Sequence, residues 1–408
     1  MTSALTAYVQ SRNQGGVDIK TTVDLFRRYQ FLERAAIPAL AGWFLAVPRY
    51  EDKIALGYRL WAHAERADAF RRRLKELRGG HRDANTEPAL QRVGDAMLHA
   101  PDEPCFLAGV RLILARLGAA YREHLAVADA SANALERRIL RAALADLDEA
   151  KAWYDRRTDA FSPDERERAA RWTRWLEALL AAAGGVSGLD ARAELPAERP
   201  ATALFERPAT LLFDARIQRG TFEPFDQRMN LTFEEKRVAE FRIFFNEFYA
   251  AAVLATILHD AWRADAPWEF FHDMAHHFWD EVRHAEFGAT RLAELGVAPD
   301  RVDLVLFDGS QSLPFLHRLC FLTLGLEVFY MPRKQPRVKR YGEAGDFRTQ
   351  LFADVDWNDE GNHVRYGKKW VTHFLEDDSR EIEDLQDEIK EHMKAIFADL
   401  PEGKLSPF

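Results

Sequence analysis

Asp280-Glu281-Val282-Arg283-His284 and Asp359-Glu360-Gly361-Asn362-His363 are two copies of one pattern, Asp-Glu-x-x-His, in a chain of 408 residues. Each lies where apolar residues recur at helical spacing, Trp268 to Leu295 and Asp346 to Leu375. Residues three apart share a helix face, so each pattern offers a carboxylate oxygen and an imidazole nitrogen to one point in space. Each also has a glutamate on the preceding predicted helix. Glu247 lies 34 residues before Glu281, and Glu327 lies 33 residues before Glu360. Glu247 sits 19 residues before the turn near Ala266 and Glu281 sits 15 after it. At about 1.5 Å per residue they reach similar heights on antiparallel neighbours. Glu247 and Glu327 are flanked by Phe, Leu and Ala, and a carboxylate on such a face is expensive unless it is paired or binds metal.

Four glutamates and two histidines from four helices match the ligand set of di-iron and di-manganese carboxylate bundles. With no thiolate among them, these oxygen and nitrogen donors suit iron or manganese. Residues 233–375 resemble the ferritin-like di-iron superfamily. The repeat looks most like its oxygenase and oxidase members: acyl-carrier-protein desaturases, bacterial multicomponent monooxygenases and aminobenzoate-type N-oxygenases. The resemblance implies a four-helix bundle in which Glu281 and Glu360 bridge two metals. Glu247 and Glu327 would be terminal ligands, and His284 and His363 would each bind one ion. Two iron ions are the expected cofactor, with Mn/Fe or Mn/Mn as variants.

Further candidates surround these six. Asp280 and Asp359 precede the bridging glutamates, and each could reach the ligand histidine of the opposite helix, since such histidines usually donate their other N–H to a carboxylate. His277, four before Glu281, falls on the same stripe and is either an added ligand or a packed core histidine; Asp356 is its counterpart in the other repeat. The N-oxygenase branch carries an extra histidine resembling His277 in placement. His276 points elsewhere and is read as structural. Tyr330 and Tyr366 are candidate redox or substrate-facing phenols, with core packing as the other reading. Met331-Pro332 interrupts a helix. The basic residues that follow, Arg333, Lys334 and Arg337 among them, are read as a loop that receives an anionic substrate or acidic carrier, or is simply solvated.

Outward from this region the chain reads as all-α. Helices are expected at 21–47, 51–77, 106–128, 135–154, 165–183, 233–264, 268–295, 316–331, 346–375 and 381–400, with Gly79-Gly80 closing the second. The last is an amphipathic cap or an oligomer contact, as in a homodimer. Residues 184–226, with Gly-Gly-Val-Ser-Gly and two proline-rich stretches, read as an irregular connector. This gives an N-terminal helical domain (1–184), a connector (185–226) and a ferritin-like domain (227–408). The first half also resembles a worn copy of the second. Glu33 stands like Glu247, Trp61-Ala62-His63-Ala64-Glu65 like Trp279 to Arg283, Glu123 like Glu327, and Asp148-Glu149 like Asp359-Glu360 with Ala152 at the histidine position. A degenerate copy would hold no di-metal site, and a second site at His63, Glu65 and Asp68 is the lesser expectation.

Net charge is −9, against general nucleic-acid binding. Two cysteines cannot build a four-thiolate site or a disulfide framework, so a cytoplasmic setting is expected. No signal peptide and no uncharged membrane-spanning run is apparent. The expectation is an O2-activating di-iron oxygenase or oxidase. It would hydroxylate, desaturate or N-oxygenate a small or carrier-bound, possibly anionic, substrate with an external electron donor. Ferroxidase iron handling and di-manganese catalase are the alternatives.

Overall fold

The computed structural model describes residues 3–12, 15–79, 87–221, 230–264, 266–376 and 380–398. Gly80, connector residues 222–226, the boundary at 227 and Leu400 lie outside the described residues. The chain is all-α. Apart from Gln218–Arg219 and Arg301–Val302, which pair in parallel, the described residues are helices and irregular connections.

The chain divides into two compact units. The first comprises Met1–Leu40 and Ala62–Glu206. Its helix Glu103–Val127 packs on Ala134–Asp159 and Pro163–Ala182, burying Leu107, Val110, Ile113, Leu114 and Leu117. Pro163–Ala182 starts where the sequence dictates: the Ser162 hydroxyl accepts from the Glu165 N–H, the Glu165 carboxylate accepts from the Ser162 N–H, and Pro163 takes the first turn. The helices Ala4–Ser11 and Pro88–Leu98 were not expected. At 8 and 11 residues they are too short for periodicity to stand out.

The second unit comprises Ala41–Trp61 and Arg207–Phe408. Helix Trp268–Glu294 packs against Phe233–Asn246, Phe248–Ala261 and Phe347–Leu375. Phe347–Leu375 in turn packs on the segment Phe321–Leu326, and Phe315–Cys320 returns to Phe248–Ala261, so the contacts run in a closed circuit. Residues 41–61 lean on the outside of Trp268–Glu294, with Phe44 edge-on to Phe278, Tyr58 to Trp279 and Trp61 stacked on His276. Ile382–Ala398 buries Leu385, Ile389 and Met393 against Phe321–Leu326 and Phe315–Cys320.

Three expected elements are corrected. The helix expected over 233–264 breaks at Glu247, whose N–H turns to Phe244 O and Phe245 O. The helix expected over 316–331 is an α-turn, a π-helix at Phe321–Leu326, and a short α-helix Glu327–Tyr330. The basic segment is not a loop: a 3-10 turn, Met331–Arg333, leads into the helix Lys334–Glu343. Proline at 332 favours the tight turn but leaves a helix free to restart beyond it. Glu103–Val127 and Phe233–Ala261 are long and apolar enough by composition to cross a membrane, but 67% and 72% of their apolar windows are buried inside the protein.

Two glycines set how close the helices come. A Cβ on Gly288 would lie 2.2 Å from Phe245 N and 2.8 Å from Phe241 O; a Cβ on Gly367 would lie 2.5 Å from Thr323 Cβ. Gly288→Ala must push Phe233–Asn246 away, and Glu247 with it. We expect a loss of about 1–3 kcal/mol in urea unfolding. Gly361→Ala, where a Cβ meets nothing within 4 Å, should instead stabilise by about 0.5–1 kcal/mol.

Candidate metal centre

Glu247 and Glu327 both sit where a helix is irregular. Glu247 is the break itself, and Glu327 follows directly on the π-helix. Such bulges re-aim side chains and are common at functional sites. Each histidine of the repeats is followed four residues later by one of the close-approach glycines, Gly288 after His284 and Gly367 after His363. The true repeat is therefore Asp-Glu-x-x-His-x-x-aromatic-Gly, with Phe287 and Tyr366 before the glycines. That longer match is legible in the sequence alone.

The structure brings the six candidate ligands together, with His277 and Asp356 added, in two clusters. His277, Glu281, Glu327 and His363 form one; Glu247, His284, Asp356 and Glu360 form the other. Within each cluster one ligand atom per residue lies within 4.8 Å of the others. In the first, His277 Nε2 is 3.3 Å from Glu281 Oε1 and from Glu327 Oε1, and His363 Nδ1 is 3.1 Å from Glu281 Oε1. In the second, His284 Nδ1 is 3.1 Å from Glu247 Oε2 and 3.6 Å from Asp356 Oδ1. Glu281 spans the two, its Oε2 3.9 Å from His284 Nδ1. The rings of His277 and His363 stack at 3.7 Å. Asp356, the counterpart of His277, stands among the candidate ligands.

The outer faces are fixed. His284 Nε2 is 3.1 Å from Asp359 Oδ2, and His363 Nε2 is 3.2 Å from Asp280 Oδ2. Each aspartate thus serves the histidine of the opposite helix, which turns that histidine's Nδ1 inward. Arg283 Nη2 donates to both aspartates, at 2.7 Å to Asp280 and 2.5 Å to Asp359. Nothing in the pattern pointed to Arg283.

The inner faces are unsatisfied. Glu247 Oε2, Glu281 Oε1, His284 Nδ1, Glu360 Oε2 and His363 Nδ1 are buried without a hydrogen bond. Such groups cost free energy unless something arrives to use them. Burial, only partly offset by Lys334 and His284, pushes Glu247 up to about 7. Burial together with Glu360 and Glu281 pushes Glu327 well above the carboxylate range. Burial opposes charge on Glu281 too, but His277 and His363 outweigh it and hold it at about 2. Burial and the neighbouring His363 lower His277 to about 4, the neutral form that ligates. Burial opposes charge on His284 and His363 too, but Asp359 and Glu247 at the first, and Asp280 and Glu281 at the second, outweigh it and raise both well above the usual imidazole value. Crowded carboxylates, imidazoles and orphaned inward atoms form a donor set that could hold a metal ion, whose binding would displace those protons.

The remaining candidates divide, with Lys334 and Arg337 turned onto the second cluster and Tyr366 turned away. The Tyr366 hydroxyl meets His276 Nδ1 at 3.0 Å, which aims it away from the clusters. Tyr330 lies beside Phe329, and the exposed Arg333 guanidinium covers both rings at 5.3 and 5.0 Å. Lys334 points inward and is buried, donating to Asp356 Oδ1 and Glu360 Oε1, each at 2.7 Å. Arg337 reaches Asp356 Oδ2 at 3.4 Å and lies over Phe244. The 334, 337, 341 spacing of Lys, Arg and Tyr is the signal that would have marked this segment as a helix with an inner face. Tyr249, also unanticipated, is raised well above its usual value by burial and by Tyr330, Glu327 and Glu281.

The first unit has no such cluster among its described residues. Glu33 is fully buried but saturated: Arg66 donates to Oε1 and Oε2 at 2.8 Å, Tyr121 to Oε1 at 2.8 Å, and His63 Nδ1 lies 2.5 Å from Oε2. Arg66 stands three residues after His63, the offset of His284 from Glu281. Glu123 is outside this group, and Asp148 and Glu149 are exposed, so those matched positions do not converge.

A helical unit with a buried carboxylate–imidazole cluster in its core is thus the class that fold and site define. Residues 192–402, just over half of the chain, match the family described as "Protein of unknown function (DUF455)", and the chain belongs to that family. No curated protein and no solved structure matches it.

Proposed function

We propose that the second unit is a ferritin-like bundle holding a carboxylate-bridged pair of iron ions, used for O2-dependent oxidation of a small organic or carrier-bound substrate. The observation that carries this reading is the set of five buried ligand atoms without a hydrogen bond, each on a residue of the repeat or its upstream glutamate. Glu281 and Glu360 would bridge. Glu327, His277 and His363 would serve one ion, and Glu247, His284 and Asp356 the other. When bound, two ferrous ions together reduce O2 and leave an oxidant able to attack a C–H or N–H bond.

The chain's own part is support and exclusion. Asp280 and Asp359 hold the ligand tautomers of His363 and His284. Phe241, Phe244, Phe245, Phe248 and Phe278, all buried, keep bulk water from the centre. Arg333 over Phe329 and Tyr330 offers an outward cation and two rings to an anionic substrate. Electrons would come from a separate donor. The cluster with three carboxylates and one histidine also suits manganese, which keeps a mixed-metal centre or a catalase as the second reading.

The test is anaerobic reloading with ferrous iron, metal analysis, then O2 uptake. Two irons per chain and O2 consumed in proportion to the di-iron content are expected. Mineralisation of hundreds of irons per chain would instead mean storage. Rapid peroxide disproportionation by the manganese form would mean catalase.

A further inference from the structure

The two clusters are not equivalent. His277 in one stands where Asp356 stands in the other, each four residues before the glutamate of the repeat. The second cluster also carries an ammonium, since Lys334 donates to Asp356 and Glu360. It therefore has a carboxylate and a lysine where the first has the imidazole of His277.

That ammonium is not beside the second cluster but on its donor atoms. Asp356 Oδ1, 3.6 Å from His284 Nδ1 and so facing the ligand position, is the same oxygen that accepts from Lys334 Nζ at 2.7 Å. Lys334 also takes Glu360 Oε1 at 2.7 Å. A cation bound by Glu247, His284, Asp356 and Glu360 would meet a like charge sharing two of its four ligands. Asp356 would keep its other partner, Arg337, on Oδ2. Lys334 stands at the start of its helix, next to the exposed Arg333, Gln335 and Pro336, so its long flexible stem has solvent within reach.

We propose that Lys334 is an internal competitor for the second ion, so that the centre fills in order. The first divalent ion enters at His277, Glu281, Glu327 and His363. The second enters at Glu247, His284, Asp356 and Glu360 only by displacing the ammonium from Asp356 and Glu360. No bond is made or broken in this step other than coordination and ion pairing. The proposal rests on the dinuclear reading above. It assigns Lys334 a positioning role, with no contact to substrate.

The experiment is anaerobic calorimetric titration of the full chain with ferrous ion, wild type against Lys334→Met. Wild type should bind two ions in resolved steps, the second about tenfold or more weaker. Lys334→Met should strengthen the second step by about that factor, leave the first unchanged, and merge the two. A second step that is unchanged or weakened in Lys334→Met overturns the proposal while two-ion binding stands. Wild type that binds no ion overturns the dinuclear reading and the proposal with it. A second measurement needs no variant: reductive methylation of Lys334, read by mass spectrometry at zero, one and two equivalents of ferrous ion. Protection at zero and one, lost at two, is expected. Protection that persists with both ions bound overturns displacement even if Lys334→Met fails to fold.

Discussion

Glu281→Ala is expected to strip the centre of both ions. Its Oε1 faces His277 and His363 and its Oε2 faces His284, so one side chain serves both clusters. Truncation leaves each cluster short of an anionic donor at once. Removing residues that merely support ligands typically costs 10–100-fold in metal affinity, so loss of a shared ligand should exceed about 100-fold. Metal analysis after equilibrium dialysis against ferrous ion reads the effect. The metal-free variant should lose stability, because His277 and His363 favour the charged Glu281 in the folded protein and lose that partner, although the like-charge pressure on Glu327 falls. A variant as rich in iron as wild type would show that the bridging assignment is wrong.

The second large effect lies in the other unit. Arg66→Met should destabilise the first unit by about 3–5 kcal/mol, because it strands the Glu33 carboxylate in a fully buried position. Glu33→Gln combined with Arg66→Met should recover part of the loss, since no charge is then left unpaired. Burial disfavours the charged form of Glu33, but Arg66 and His63 outweigh it and hold the carboxyl at about 2. A depressed folded-state value means the stabilisation is fully present above the ordinary glutamate range and disappears as pH falls toward 2. Hydrogen exchange on peptides from residues 19–40 and 62–79 locates the loss. Exchange that is unchanged in Arg66→Met would mean that the ion pair contributes nothing.

The helices that carry the Asp-Glu-x-x-His candidates were legible because they are long and periodic, and because a Glu-x-x-His face has only one geometry. Trp268–Glu294 and Phe347–Leu375 begin and end within a residue or so of expectation. The cross-helix pairing of Asp280 with His363 and Asp359 with His284 followed from the same logic. What was not legible depended on tertiary contact. The break at Glu247 and the π-helix before Glu327 interrupt sequences with good helical periodicity, and nothing local marks them. A lysine in a basic stretch reads as a surface cation, and only the facing Asp356 and Glu360 explain the burial of Lys334. The first unit's Glu33 was found, yet its partners were not all foreseen: Arg66 and Tyr121 complete the saturation, and Glu123 takes no part.

Arg283 has a consequence beyond holding two aspartates. Its single guanidinium ties Asp280 of one ligand helix to Asp359 of the other, at the outer rim of the centre. The two helices are therefore clamped by a group that needs no metal. On the di-metal reading proposed above, acquisition of ions would be insertion into a finished protein rather than a folding reaction, unlike small modules whose chain collapses only around its metal. Ions so bound would add stability by mass action, in proportion to their supply. A protein of that kind would wait folded through a shortage of metal, ready to be charged without being made again.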